Sequence, residues 1–185
     1  METKIVEKPG MKIVGFTLHT TQKNGQNKKE IPPFFHKVYE EKKLESVPYK
    51  LDDNQLCIFK IQRNRPEFDY VMGTEVSTKD IIPEGMDFTY LPPSKYVAIK
   101  TVKRCPDDII EVLDYIFKKW IPESEYIPTG EPPFIFYDNE FFDVFDKVGY
   151  AGNPMATVYV PIKPLFIKKL AGTLGLKKFS TEHSN

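Results

Sequence analysis

Hydrophobic and polar residues alternate in short stretches along the first half of the chain, and one longer stretch has helical spacing. Residues 11–20, 55–62 and 68–77 alternate with the period of two that is typical of β-strands. Residues 31–47 place apolar side chains on one side and charged side chains on the other, as an amphipathic helix does. The pattern therefore predicts the order β-α-β-β over residues 11–77.

The same order returns in the second half of the chain. Residues 94–104 alternate as a strand, and residues 105–121 carry apolar side chains at steps of three and four, which indicates a helix. Two further stretches, residues 132–138 and 156–163, have the composition of strands. Residues 94–163 therefore also predict β-α-β-β.

A repeat of about 80 residues predicts a domain with an internal pseudo-two-fold axis rather than a long array of repeats. We expect an α+β fold of two pseudo-symmetric β-α-β-β halves, in which a curved antiparallel sheet carries two helices on one face. A cleft between the two helices, at the pseudo-two-fold axis, is the expected concave site for a ligand.

The positions of prolines, glycine and basic residues suggest where this domain begins and ends. We expect a single domain over residues 1–164, with halves at about 1–78 and 94–164. Prolines and a glycine mark residues 79–93 as a linker on the surface. Residues 165–185 are basic and end in small polar residues, so we expect them to form a C-terminal tail.

The composition is that of an ordinary globular protein with many aromatic rings. Apolar residues make up 41% and charged residues 28%, while Lys+Arg and Asp+Glu are equal at 26 each. Because the charges balance, no overall field attracts nucleic acid, and we expect no direct nucleic-acid binding. The 14 Phe and 10 Tyr beside a single Trp indicate that rings line some internal surface.

Cysteine usage and hydropathy indicate the compartment. Cys57 and Cys105 lie far apart in the sequence without a C-x-x-C motif, as is typical of buried thiols in a reducing compartment. The first ten residues are charged and lack the apolar core of a signal peptide. No apolar run approaches the roughly 18 residues of a membrane span, so we expect a cytoplasmic protein without one.

The sequence offers no motif for a cofactor or a metal. It contains no nucleophile elbow, phosphate-binding loop or dinucleotide fingerprint. His19, His36 and His183 are far apart, and none forms a pair at ligand spacing with another His or Cys. We therefore expect neither a cofactor nor a metal site.

The acidic residues that follow the stretch 132–138 are the strongest candidates for acid–base chemistry. Asp138, Glu140, Asp143 and Asp146 could supply a pair of carboxylates, as glycoside hydrolysis requires. Carboxylates after a strand end are, however, usual in solvated turns, and no second acidic cluster faces them in the sequence. We prefer the turn interpretation and assign no catalytic residue.

Five phrases, in their order and spacing, resemble one known family. The chain is similar to the GyrI-like small-molecule-binding family, also called AraC-type effector-binding domains, over roughly residues 3–164. The resemblance implies a concave sheet and two helices around an aromatic pocket, which in many relatives holds lipophilic, often cationic, aromatic compounds. The phrases are FDYVMGTEVS, YLPPSKYVAIKTVKR, VLDYIFKKWIPESEYIPTG, PPFIFYD and ATVYVPIK.

The chain departs from this family at one position. The family's hallmark is a buried glutamate on the strand after the second helix, and Ile135 stands at the matching position. An isoleucine makes the pocket neutral, whereas a buried carboxylate would need a cation or hydrogen bonds to compensate it. A neutral aromatic or aliphatic ligand is therefore favoured over a cationic one.

Strand alternation and helix faces define the candidate pocket residues. If Ile135 faces the cleft, Tyr137 does too, while Phe134 and Phe136 point to the opposite face. The remaining candidates lie on the two helices and on the strand 68–77. The full set of expected ligand-binding residues is Phe35, Tyr39, Tyr70, Met72, Ile109, Trp120, Ile135 and Tyr137.

Two functions from different classes follow from the resemblance, with a third as a minor option. The first is a non-catalytic protein that binds a small hydrophobic, aromatic molecule, to sequester it or to signal to a protein partner. The second is a hydrolase, since some relatives hydrolyse drug-like compounds, and the third is a protein–protein inhibitor of the gyrase-inhibitor type. We favour binding. Because the resemblance begins near Lys4, we expect a stand-alone effector-binding domain.

Overall fold

The computed structural model describes residues 1–62, 64–102 and 107–165. Cys105 and all of the expected tail beyond Leu165 lie outside these ranges. The helices are α1 (Gln26–Glu40), α2 (Asp107–Tyr115, continued by a π-helical turn Ile116–Trp120 and a last turn Ile121–Glu123) and α3 (Asn139–Val148). The strands are β1 (Lys4–Lys8), β2 (Met11–Thr21), β3 (Gln55–Ile61), β4 (Glu67–Glu75), β5 (Asp87–Leu91), β6 (Ser94–Lys100), β7 (Tyr126–Pro128), β8 (Phe134–Tyr137) and β9 (Thr157–Pro164).

All described strands join one antiparallel sheet in the order β1-β6-β9-β8-β3-β4-β2-β5, with β7 paired to β9. The halves expected from the sequence are present as β2-α1-β3-β4 and β6-α2-β8-β9. They meet in the middle of the sheet, where β3 pairs with β8. The predicted α+β fold class is confirmed.

The described helices pack on the same face of the sheet. Phe35 of α1, Ile116 of α2 and Phe141 of α3 belong to one buried cluster together with residues of the strands beneath them. The expected two helices on one face are therefore present, but α3 is a third helix on that face. The sequence interpretation had placed a solvated turn at this position.

Two further expectations about element boundaries were wrong. The structure begins α1 at Gln26 rather than at Ile31, so Pro32 and Pro33 lie inside the helix instead of in its first turn. Both prolines are exposed, so water can solvate the carbonyl groups that lose their donors. The expected surface linker 79–93 contains β5, which pairs with β2 and buries alternate side chains against the sheet.

Two very short links force the sheet to curve. Pro9 and Gly10 join β1 to β2, and Pro92 and Pro93 join β5 to β6, yet each pair of strands is six positions apart in the sheet. Six steps across a flat sheet span about 29 Å at about 4.8 Å each. Three Cα–Cα steps cover at most about 11 Å. The sheet must therefore curl until its two edges approach each other.

The inside of this curl is a second hydrophobic core that no described helix covers. Tyr96 of β6, Phe134 of β8 and Tyr159 of β9 pack their rings together there, with Phe134 and Tyr159 stacked at 4.8 Å. Because side chains alternate along each strand, the neighbouring residues point to the helix face. The sheet thus separates an inner core, closed by curvature, from an outer core, closed by the helices.

A pair of glycines lets the backbones of β2 and β4 approach each other closely. Gly15 and Gly73 face each other in the register of the two strands. A Cβ atom at position 15 would lie 2.2 Å from the carbonyl oxygen of Met72, and one at position 73 would lie 2.6 Å from that of Val14. Backbone atoms cannot move aside as a flexible side chain does, so any side chain at Gly15 would push the strands apart.

Gly15→Ala tests this close approach. Alanine normally stabilises a strand relative to glycine by restricting the unfolded chain. Here we expect the free energy of unfolding to fall by about 1–3 kcal/mol, the usual effect of overpacking. Urea denaturation measures it, with Thr17→Ala on the same strand as the control. A Gly15→Ala protein as stable as the wild type would show that the strands are not held this tightly.

Candidate ligand-binding site

Buried, uncharged side chains of the two central strand pairs form the floor of the candidate site. Ile135 of β8 pairs with Cys57 of β3, which in turn pairs with Met72 of β4, so the three side chains lie side by side on the helix face. Cys57 and Met72 are fully buried and Ile135 is nearly so. The floor is therefore neutral where the family glutamate is expected.

The alternation of β8 is the one that the sequence predicts. Ile135 and Tyr137 belong to the helix-side core, whereas Phe134 and Phe136 belong to the inner core of the curled sheet. Tyr70 lies on the helix face of β4, and burial raises the pKa of Tyr70 well above its usual range. Cys57, Tyr137 and Tyr150 raise this pKa further.

Helix α1 supplies one wall of the site through two aromatic residues a turn apart. The ring of Phe35 lies 5.5 Å from that of Tyr137 and stacks on Tyr39 at 6.3 Å. Phe35 is buried, while Tyr39 is only partly covered and reaches towards the surface. These contacts bring Phe35, Tyr39 and Tyr137 together, as we expect of residues that line one cleft.

Helix α2 contributes less to this cluster than we expected. Ile109 packs into the same buried core from the first turn of the helix. Trp120 lies at the other end, after the π-helical turn, and stacks on Tyr126 of β7 at 6.0 Å. Within the described part of the chain, the ring contacts of Trp120 do not include Phe35, Tyr39 or Tyr137. Ile109 therefore lies in the same buried core as the aromatic candidates, whereas Trp120 lies beside β7.

Helix α3, which the sequence interpretation missed, completes the site. Asp138 caps it, because its carboxylate Oδ1 accepts a hydrogen bond from the N–H of Phe141 at 2.9 Å. Glu140 lies in the first turn, Lys147 in the last, and Gly149 follows with a positive φ of 59°. These are the ordinary signals of helix ends, so the sequence did contain the evidence.

The rings of α3 cover the neutral floor and the wall. Phe141 packs edge-on against Tyr137 at 4.7 Å and is almost completely buried. Phe142 stacks on Tyr39 at 5.0 Å with an interplanar angle of 11°, and Phe145 meets Tyr39 edge-on at 5.4 Å. Aromatic side chains of this chain therefore fill the space above the candidate residues.

The carboxylates of this segment face away from the floor. Glu140 is exposed and forms an ion pair with Lys100 at 3.2 Å, and Asp143 is exposed on the next turn. Asp146 accepts a hydrogen bond from the hydroxyl of Tyr39 at the mouth of the site. Burial and this bond raise the pKa of Tyr39 well above its usual range, so the hydroxyl stays protonated and donates.

Two cavities border Tyr39, next to the contact between α1 and α3. One has a volume of about 320 Å³ and is bordered also by Gln55 and Phe142, and the other has about 190 Å³ and reaches Asp146. Larger cavities of about 700 and 410 Å³ lie at the β3–β4 turn and beside the N-terminus. Neither of these two is lined by a residue of the candidate set. Of these four cavities, the two beside Tyr39 are the ones that border a candidate residue.

The described residues give no sign of a metal site or a membrane span. Within residues 1–62, 64–102 and 107–165, no three His, Cys, Asp or Glu side chains converge as metal ligands do. None of the helices in these ranges is long and apolar enough to cross a membrane.

The chain matches a known protein family over most of its length. The model of the family Cass2, integron-associated effector binding protein, matches residues 4–162. The chain belongs to this family. The resemblance to GyrI-like effector-binding domains that the sequence suggested is confirmed. The match covers both halves and all three described helices.

The chain is similar to the transcriptional regulator BrlR of Pseudomonas aeruginosa. The two are 28% identical over 165 residues, which cover 88% of this chain and 56% of BrlR. The chain thus spans little more than half the length of that relative.

Solved structures share the fold at low sequence identity. The structure of SAV2435 bound to tetraphenylphosphonium matches with a TM-score of 0.70 at 15% identity, over 88% of this chain and 94% of that one. The integron cassette protein VCH_CASS2 of Vibrio cholerae matches with a TM-score of 0.57 at 14% identity, over 87% and 95%. At these identities the matches show a common fold.

Replacing the cap of α3 tests whether this helix is part of the folded site. Asp138→Ala should lower the free energy of unfolding by about 1 kcal/mol, because the N–H of Phe141 loses its acceptor. Asp138→Asn keeps an acceptor and should be nearly neutral. Urea denaturation compares both with Asp143→Ala, an exposed carboxylate of the same helix. Equal effects of Asp138→Ala and Asp143→Ala would contradict the cap.

Proposed function

We propose that this protein is an effector-binding protein that holds a small hydrophobic, aromatic molecule in the cleft between α1, α3 and the central strands. The observation that carries the proposal is the convergence of Phe35, Tyr39 and Tyr137 over a neutral floor, in a chain of the effector-binding family. Rings placed around an apolar floor recognise other rings by burial and by stacking.

The ligand-bound relative supports this function. SAV2435, which shares the fold, is described with tetraphenylphosphonium, a cation surrounded by four aromatic rings. The same fold in this chain presents aromatic side chains, so a molecule of similar ring content is a suitable ligand. The charge of that compound does not carry over, because the candidate floor is uncharged.

Ile135 indicates a neutral ligand. A cation in an apolar cleft must lose its hydration, and without a nearby carboxylate nothing compensates that loss. The side chains beneath the cleft, Ile135, Cys57 and Met72, carry no charge. An uncharged aromatic compound loses less hydration on entering, so we propose that this protein prefers one.

We do not extend the proposal to hydrolysis or to inhibition of a protein partner. The carboxylates nearest the cleft have other roles, since Asp138 caps α3, Glu140 pairs with Lys100 and Asp146 binds Tyr39. A general acid or base must lie within hydrogen-bond reach of the proton that it transfers, and these contacts hold the carboxylates at the helix cap and on the outer surface. In the proposed function the protein sequesters its ligand or passes the signal to a protein partner in the cytoplasm.

Titration calorimetry with two probes tests the proposed function. We expect triphenylphosphine oxide, a neutral molecule, to bind with a Kd in about the micromolar range and more tightly than tetraphenylphosphonium. Tyr137→Ala should weaken binding about tenfold or more, because it removes a ring of the wall. Trp120 stacks on Tyr126 outside the cluster, so its fluorescence is a weaker reporter than the heat of binding.

Two variants control this experiment. Tyr137→Phe keeps the ring and should retain most of the affinity, and Phe117→Ala removes an exposed ring of α2 and should change nothing. Circular dichroism must show that each variant is folded. Saturable binding of neither probe to a folded wild-type protein would contradict the proposed function.

Ile135→Glu tests the origin of the charge preference. The introduced carboxylate would lie on the buried floor and should shift the ratio of affinities towards tetraphenylphosphonium by about tenfold or more. Burial raises the pKa of such a carboxyl. The shift should therefore be present at high pH, where the carboxyl is ionised, and disappear as pH falls below the raised pKa.

Ile135→Gln is the matched control, because it adds a polar group of similar size without charge. It should leave the ratio of affinities for the two probes near that of the wild type at every pH. If Ile135→Glu and Ile135→Gln give the same ratio in folded protein, Ile135 does not border the ligand.

A further inference from the structure

A polar row of side chains lies beside the apolar part of the floor, two positions along the strands. Gln55 of β3 pairs with Tyr137 of β8. The antiparallel register of β3 and β4 brings Thr74 to the other side of Gln55. Because side chains two positions apart share a face, Gln55 lies on the helix face, as Cys57 does. The floor thus continues from an apolar row into an uncharged polar row formed by Tyr137, Gln55 and Thr74.

The side-chain amide of Gln55 has an acceptor that is not used. Its carbonyl oxygen Oε1 is buried and accepts no hydrogen bond from the part of the chain that the structure describes. A buried acceptor without a donor is unfavourable, because it has lost its hydrogen bonds to water. Such groups are uncommon in folded proteins, so each one calls for a specific reason.

The neighbouring threonine does not supply this donor. Thr74 is almost completely buried, and its hydroxyl donates to the backbone carbonyl oxygen of Asn54 at 3.0 Å. A hydroxyl has a single proton to donate, so this bond uses it. The acceptor of Gln55 is therefore left for a group from outside the polar row.

Gln55 is within reach of a small molecule, because it borders both cavities beside Tyr39. The larger of these cavities has a volume of about 320 Å³ and is lined also by Thr74 and by Asn139 of α3. The last torsion of a glutamine side chain is broad, so Oε1 can turn towards the cavity without leaving a favourable rotamer. The cavity can therefore hold a polar group that donates to Gln55.

The charged residues around this cavity are already paired. Lys50 and Asp53 form an ion pair at 2.8 Å, and Glu45 pairs with Lys42 at 3.3 Å. A charged group of a ligand would have to displace one of these partners or lose its hydration without compensation. A neutral O–H or N–H group can donate to the amide and disturbs neither ion pair.

We propose that Gln55 is a specificity-determining residue of the ligand cleft, and that the ligand is an uncharged aromatic molecule whose O–H or N–H group donates a hydrogen bond to Gln55 Oε1. This inference rests on the proposed function and adds a polar group to the rings of the ligand. Rings beside Tyr137 place that group next to Gln55, because the two residues are direct neighbours across the strands.

Biphenyls that differ in one group test the donor. 4-Phenylphenol carries an O–H group, whereas 4-fluorobiphenyl has a similar size and cannot donate. Titration calorimetry with the wild-type protein should show about tenfold tighter binding of 4-phenylphenol, the scale of one buried hydrogen bond. 4-Methoxybiphenyl, whose oxygen accepts but cannot donate, should bind no more tightly than 4-fluorobiphenyl.

Gln55→Leu replaces the amide by an apolar side chain of similar size. It should reduce the ratio of the affinities for 4-phenylphenol and 4-fluorobiphenyl from about ten to about one, because the acceptor is lost. It should not lower the free energy of unfolding, because the buried amide oxygen has no hydrogen bond to lose within the described chain. Urea denaturation measures this second effect, which a purely structural glutamine would not show.

Gln62→Leu is the matched control. Gln62 is exposed just after the end of β3 and borders neither cavity beside Tyr39, so its replacement should leave the ratio of affinities at the wild-type value. A spectroscopic measurement avoids substitution altogether. In wild-type protein labelled with ¹³C-glutamine, the carboxamide resonance of Gln55 should move further with saturating 4-phenylphenol than with saturating 4-fluorobiphenyl.

The outcomes separate this inference from the proposed function. Equal affinities of the wild-type protein for 4-phenylphenol and 4-fluorobiphenyl, or for 4-phenylphenol and 4-methoxybiphenyl, would refute the donor and leave the binding function intact. A wild-type ratio retained in folded Gln55→Leu would refute the role of Gln55. If neither the biphenyls nor triphenylphosphine oxide binds to folded wild-type protein, the proposed function itself is contradicted. A ratio near ten in the wild type and in Gln62→Leu, and near one in Gln55→Leu, supports the inference.

Discussion

Two links of two residues each impose the shape on which the rest of this structure depends. They join strands from opposite sides of the sheet, so the sheet must curl and enclose one of its own faces. The enclosed face then needs no helices, because its side chains bury one another. The described helices therefore share the other face, and this brings side chains from distant parts of the chain over the junction of β3 and β8.

At that junction the proposed cleft has an uncharged floor. Ile135 stands where the resemblance seen in the sequence places the family's glutamate, and its neighbours across the strands are Cys57 and Met72. An apolar floor suits an uncharged aromatic molecule, because no charged group then has to be removed from water when the ligand binds. The carboxylates near the cleft lie on the outer surface of α3 and at its cap, where they stabilise the helix and its contact with α1.

Much of the fold could be predicted from residue spacing. The alternation in β8 correctly separated Ile135 and Tyr137 from Phe134 and Phe136. The site was predicted less completely. The carboxylates of residues 138–146 were interpreted as a turn, although they alternate with phenylalanines that form the buried face of α3. Their helix signals are local, but whether such a short helix forms depends on a surface to pack against, which the sequence does not display.

The sequence by itself determined the two β-α-β-β halves and the faces of their strands. Each of these depends on neighbours within a few residues, so periodicity reveals them. Only the tertiary structure decided that Trp120 stacks beside β7, that β5 completes the sheet edge, and that α3 lies over Tyr39 and Tyr137. These contacts join residues far apart in the chain, and they depend on the curvature that the short links impose on the sheet.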